Sequence, residues 1–356
     1  MPITLAGTTI SATAPVALMT KQSTSPQFAD GVNYDGLIGI GFPDLAVTQT
    51  APQTIVDAFY MNGAIIKNEI AFHGCPYSLS NQSWMDIGNE TPYSACGDFS
   101  VAVQLPEASY FTLDVTDISV GPKSISFSSS WQKNHYTILD SCTSNILLPK
   151  NALSELKSQI KNSGGLSYRL QNSNYLSLWL DGSVKLRLLD SDLTWSKLPT
   201  LNFTMASGMT VYKEVSLVLG PRQYIQPDSD GYYIFMVADL GSDDFAIMGL
   251  PFYTAYHIVM DRTNNLVKFQ PGCGCESLLD RYPEIFTDGI SNKCSPTITT
   301  NSTTNGTSTA WSCSTMANLD DATGVPSSTK YSGHLHLTSL STLSLFISIV
   351  FGLTFI

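Results

Sequence analysis

The chain has 356 residues, 43% of them apolar, which is enough for two ordinary domains and excludes disorder throughout. Only 13% of the residues are charged, and 18 Lys plus Arg against 29 Asp plus Glu leave a net charge of −11, which opposes a phosphate backbone and excludes nucleic acid as a natural partner. Ser, Thr, Asn, Gly and aromatic residues are abundant, the usage of β-rich and often secreted proteins.

Taken in chain order, the opening Met1-Pro2-Ile3-Thr4-Leu5-Ala6-Gly7 has neither a basic stretch nor a continuous apolar core, so it does not read as a secretory leader. Tyr34-Asp35-Gly36-Leu37-Ile38-Gly39 is an acidic-then-apolar run closing on glycine. Residues 54–62 read as a helix and 69–72 as a strand. Further strands are expected at 111–120 and 136–139, and the second of these runs into a polar turn, Asp140-Ser141-Cys142-Thr143-Ser144, before the apolar run that ends at Pro149. A turn at a strand end projects a carboxylate into a cleft with hydroxyls beside it, although the same residues also suit a plain Asx-type turn. A second helix is expected at 150–162, opening after Pro149 and closing at Gly164-Gly165. Strands follow at 215–219, 232–238 and 257–260, so the body reads as mainly β with few helices. Ile247-Met248-Gly249 echoes Leu37-Ile38-Gly39, each with a Pro and an aromatic residue close behind.

The end of the chain has a different character. Ser295 to Ser332 is a Ser/Thr-rich stalk, no charged residue follows Lys330, and the run to Ile356 is mostly apolar. Small residues near Asp321-Ala322-Thr323-Gly324, a polar spacer and a terminal apolar tail fit a glycosylphosphatidylinositol signal better than a single span. Asn81, Asn89, Asn202, Asn301 and Asn305 each open a glycosylation triplet. With seven cysteines, these triplets favour an oxidising compartment and place the protein on the outer side of the cell surface or of a secretory-pathway membrane. No Cys-x-x-Cys pair occurs, and His73, His135, His257, His334 and His336 are scattered singly, so no metal site is expected.

The polar turn resembles the second active-site loop of the pepsin-like aspartic proteases, Asp-Thr/Ser-Gly-Thr after an apolar strand. The same order of motifs continues in Leu198-Pro199-Thr200-Leu201-Asn202-Phe203, in Ala246-Ile247-Met248-Gly249 and in Ile258-Val259-Met260-Asp261-Arg262. Asp35-Gly36-Leu37-Ile38-Gly39 is similar to the family's first-lobe structural motif. The resemblance covers about three quarters of the chain and is nearest to membrane-anchored, beta-secretase-like members.

It implies a bilobal acid-protease fold. Residues 1–105 would be the later part of the first lobe, 106–275 a complete second lobe, 276–334 the stalk and 335–356 the apolar tail. It implies hydrolysis of peptide or protein substrates without cofactor or metal. Two Asp side chains share one proton, one activating a water and the other protonating the substrate carbonyl. Asp140 would be the second-lobe member, supported by Ser141, Cys142, Thr143, Ser144 and Gly249. The resemblance also implies that Cys75 pairs with Cys273 or Cys275.

Two departures stand out. Asp140 precedes Gly249 by 109 residues, and the same interval counted back from Gly39 falls before Met1. No Asp-Thr-Gly or Asp-Ser-Gly occurs in the chain, so one carboxylate and the family's flap are expected to lie in a segment outside it. Cys142 also stands where the family has glycine. The expectation is an aspartic endopeptidase whose 356 residues do not hydrolyse peptides alone; the alternative is a catalytically dead surface protein that binds peptides or proteins.

Overall fold

The structure is a computed structural model. It describes residues 2–5, 8–14, 38–45, 53–76, 82–88, 100–125, 136–228, 230–242, 245–271 and 282–288, and the backbone at 290–292, 294–301, 306–313 and 333–336. Asp35, Gly36, Asn81, Asn89, Asn305, Cys273 and Cys275 lie outside the described residues. The architecture is mainly β with few, short helices, as a pepsin-like fold requires.

Local sequence accounts for the two main helices. Helix α1 (Ile55–Met61) starts at Thr54, whose hydroxyl accepts from the Asp57 amide at 3.3 Å, and it buries Val56, Ala58 and Phe59. Helix α2 (Lys150–Asn162) buries Ala152, Leu153, Leu156 and Ile160, the spacing of one helical face. It ends where Gly164 takes the left-handed conformation at φ 68°. Shorter helices are α3 (Tyr168–Gln171), α4 (Leu176–Leu180), α5 (Pro221–Tyr224) and α6 (Leu250–Ala255). No helix among the described residues is long and apolar enough to cross a membrane.

Three sheets organise the rest. The first runs in the order β15 (Val237–Asp239), β10 (Ile146–Leu148), β16 (Ile247–Met248), β9 (Thr137–Leu139), β6 (Thr112–Leu113). The second runs β20 (Ile290–Asn292), β19 (Glu284–Thr287), β12 (Glu214–Leu219), β11 (Leu201–Ala206), β7 (Val115–Val120), β8 (Lys123–Ser124). The third runs β23 (Gly333–His336), β4 (Trp84–Ile87), β3 (Glu69–His73), β17 (Tyr256–Asp261), β18 (Leu266–Pro271), β5 (Val101–Gln104). Among the described residues three antiparallel strand pairs stand apart from these sheets: β1 (Pro2–Thr4) with β2 (Ser11–Thr13), β13 (Ile225–Pro227) with β14 (Tyr233–Phe235), and β21 (Cys294–Asn301) with β22 (Gly306–Cys313).

The continuous strand expected at 111–120 is broken. At Asp114 the chain leaves the first sheet for the second, and the Asp114 carbonyl accepts from the Ala206 amide at 2.9 Å, so β6 and β7 serve different layers. The third sheet joins strands from well before the polar turn, β3, β4 and β5, to strands from well after it, β17 and β18. Its apolar face carries Ile70, Met260, Val267 and Val103 into the core.

Asn202 lies in β11, between β7 and β12, with its side-chain oxygen buried, and Thr204 of the same triplet shares a 2.8 Å hydrogen bond with Ser216. Of Asn301 only the backbone is described. Cys75, buried just beyond β3, is half of a disulfide, with its expected partners outside the described residues.

Candidate active site

The polar turn sits where three strands of the first sheet meet. β9 leads into it and β10 leads out, and the later strand β16 lies between them, parallel to β9 and antiparallel to β10. Two strands joined by a turn are thus held apart by a third, and the turn is carried at one end of the sheet. Backbone bonds fix it there. The Asp140 amide donates to the Met248 carbonyl at 3.0 Å, and the Leu250 amide donates to the Thr143 carbonyl at 2.8 Å.

Gly249 is the residue that lets the turn and β16 close on each other. A β-carbon at this position would fall far inside contact distance of the Asn145 and Thr143 carbonyl oxygens. Its φ of −86° is ordinary, so the requirement is for space alone.

The Asp140 carboxylate is 1% exposed and held by its own turn. One oxygen accepts from the Cys142 amide at 2.9 Å and the other from the Thr143 hydroxyl. Burial pushes its pKa up, and the two hydrogen bonds, which favour the ionised form, oppose that rise. Ser141 is buried, Cys142 and Thr143 are half-buried, and Ser144 is exposed. Cys142 is in no disulfide, and its amide stays bonded to Asp140.

The structure therefore brings together Asp140, Ser141, Cys142, Thr143 and Gly249. Gly39 is not among them. It is exposed and lies in irregular backbone just before the buried Ile40 and Gly41, whose carbonyls accept from the Arg262 guanidinium.

One neighbour of the site was not expected. Tyr253, on α6 and 3% exposed, lies beside Ser141 and Asp140. Burial first, then the Asp140 charge, pushes its phenol well above the usual range. Its ring meets Phe72 edge to face at 5.4 Å, and its carbonyl accepts from the Gly74 amide at 2.8 Å, so it joins the polar turn to the third sheet. Its place four residues after Gly249 was the available signal, since a helix opening at Leu250, with Pro251 in its first turn, turns that position back toward the loop.

Among the described residues no three His, Cys, Asp or Glu side chains are grouped to hold a metal ion. The arrangement offers a buried, oriented carboxylate with local hydroxyl and amide donors, chemistry suited to holding or moving one proton. No curated protein matches the chain. A family model for eukaryotic aspartyl protease matches residues 2–271. With strand, turn and threaded glycine all arranged around Asp140, and with that match over most of its length, the chain belongs to the eukaryotic aspartyl protease family.

Proposed function

We propose that the protein is an aspartic-type endopeptidase in which Asp140 is the second-lobe member of a proton-sharing carboxylate pair. The observation that carries this reading is the Asp140 carboxylate itself, buried and fixed by the Thr143 hydroxyl and the Cys142 amide at the junction of β9, β10 and β16. A carboxyl group whose ionisation is opposed by burial but supported by two donors suits exchange of a proton between two acids. In the reaction one carboxylate takes a proton from the attacking water while its partner protonates the carbonyl oxygen of the peptide. The tetrahedral intermediate then collapses as the proton passes to the departing amine.

The second carboxylate belongs, in this reading, to an Asp-Thr/Ser-Gly triplet that the 356 residues do not contain, and these residues alone do not cleave peptides. The apolar tail after Lys330 anchors the protein to a membrane, by a lipid signal or a single span, on the oxidising side. The disulfide at Cys75 supports that compartment, and Cys273 or Cys275 is its proposed partner.

The test is sequencing of the transcript upstream of Met1, followed by assay of the encoded protein on an unstructured peptide with and without a statine-type inhibitor. An upstream Asp-Thr/Ser-Gly and inhibitor-sensitive cleavage are the expected results; a confirmed start at Met1 contradicts the reading. Cys142 in place of glycine is the observation that favours a second reading, a catalytically dead peptide-binding protein, and inhibitor-sensitive cleavage removes it.

A pH prediction follows from the turn. Thr143→Ala removes a donor that favours ionised Asp140. The carboxyl then keeps its proton to higher pH, and the acid limb of the kcat/KM profile is expected to move upward. A limb that stays in place contradicts a catalytic role for this hydrogen bond.

A further inference from the structure

His73 and His257 are far apart in sequence and outside the active site, yet the register of the third sheet sets them directly opposite each other on β3 and β17. Their rings are 6.1 Å apart. Trp84, opposite His73 on β4, stacks on it at 5.4 Å and lies 5.1 Å from His257. Both imidazoles are 2% exposed.

Their position joins the two parts of the chain. β3 precedes the catalytic turn and β17 follows it, so the β3–β17 pairing is a seam between early and late sequence. The seam touches the site's support on both sides: Gly74, next after His73, donates to the Tyr253 carbonyl, and α6, which carries Tyr253, runs straight into β17 and His257.

The charged groups on this face are few. Across from His257 on β18 is the neutral Gln270, and one step diagonally lies Lys268, a cation. Diagonal to His73 on β4 is Asp86. Two rows along, Glu69 on β3 is ion-paired with Lys67 at 3.4 Å and Lys268 at 3.9 Å. Its cross-strand neighbour Asp261 on β17 accepts from the Asn264 amide and side chain at 2.9 and 2.8 Å. On β23 the register sets His334 across from Asp86 and His336 across from Trp84. His257 therefore faces an imidazole, an amide and a lysine, with no carboxylate directly across or diagonal to it on either neighbouring strand.

We propose that His73 and His257 form an acid-sensitive seam: proton uptake by the pair loosens the β3–β17 join and, through it, the support of the catalytic turn. This holds whether or not the chain cleaves peptides, since it concerns the sheet and not the chemistry. Burial pulls both imidazoles down to about 4, helped at His73 by the neighbouring His257 and opposed at His257 by the Phe72 backbone.

The sign follows from these values. An unfolded imidazole takes its proton near 6.5, so the contribution of the neutral pair is complete above that pH, is lost as the pH falls from 6.5 toward 4, and changes no further below. Each imidazole then lowers the folding constant by roughly 20-fold between pH 7 and pH 5.

The experiment uses the full chain. Ring-proton NMR titration of the wild type is expected to find two imidazoles with midpoints well below the others, and assignment by His73→Gln and His257→Gln is expected to name these two. Urea unfolding at pH 7 and pH 5 is expected to show a folding constant that falls by roughly 20-fold less in His257→Gln than in the wild type. Normal midpoints for both rings overturn the proposal even if neither variant folds. So does a His257→Gln protein whose folded state loses as much stability as the wild type over the same interval.

Discussion

Arg262→Met is expected to destabilise the chain by about 3–5 kcal/mol, read as a fall in the urea midpoint at neutral pH. The Arg262 side chain is 1% exposed and its guanidinium forms a hub. It donates to the Ile40 carbonyl, to the Gly41 carbonyl at 2.6 Å, to the Thr54 hydroxyl and the Asn68 side chain at 3.2 Å each, and to Asp57 at 2.8 Å. It also lies over the Phe42 ring at 4.8 Å. Burial pulls Arg262 down and Asp57 pushes it back up. Burial would raise Asp57, but Thr54, Arg262 and Asn68 together hold it below the usual carboxylate range.

Removing the cation leaves that carboxylate and two carbonyls without it in a buried site, which costs more than the pair contributes net. Phe42 lies 5.3 Å from Phe111, whose carbonyl accepts from the Leu139 amide immediately before Asp140, so the loss also reaches the turn at Asp140. Arg262→Lys is expected to recover little, because one ammonium cannot reproduce the forked contacts to Asp57, Ile40 and Gly41. A Met variant within about 1 kcal/mol of the wild type contradicts this reading of the hub.

Gly249→Ala is expected to cost about 3 kcal/mol or more and to abolish any activity the protein has. The added methyl meets two backbone carbonyls, those of Thr143 and Asn145, and neither can rotate away as a side-chain tip can. Relief requires β16 and the turn to separate, which breaks the Leu250 to Thr143 hydrogen bond and moves Asp140. Gly164→Ala is the control. It has positive φ but nothing within 4 Å of the added carbon, so about 1 kcal/mol and unchanged activity are expected. Equal effects at the two glycines, measured by unfolding and by cleavage, contradict the close-approach explanation.

Much of the local structure was legible in the sequence because its causes are local. Thr54 before an apolar-periodic run marks a helix start, and Gly164 marks an end. The turn at Asp140 was visible because a short polar cluster interrupts two apolar strands. The breaks at Asp114 and Met236 were not visible. The first falls inside an alternating apolar and polar run and the second inside a continuous apolar one, and only the partners show the division: the Asp114 carbonyl accepts from the Ala206 amide, and the Met236 amide turns aside to the Tyr224 carbonyl at 2.8 Å. Gly249 was legible as a motif glycine but not as a steric requirement, since its φ is ordinary. The histidines read as scattered singly, yet β-register pairs two of them across the seam. Long-range register is carried by the whole sheet, and no window of sequence contains it.

The most direct test of the central claim is the ratio of kcat/KM between wild type and Asp140→Asn, measured on the full-length protein and with folding checked by unfolding midpoint. If Asp140 is one of the two reacting carboxylates, the amide, which can neither take nor give the proton, lowers kcat/KM by roughly 10²–10⁴-fold or more while the midpoint holds. A folded Asp140→Asn protein that still cleaves peptide within about twofold of the wild type would contradict the assignment.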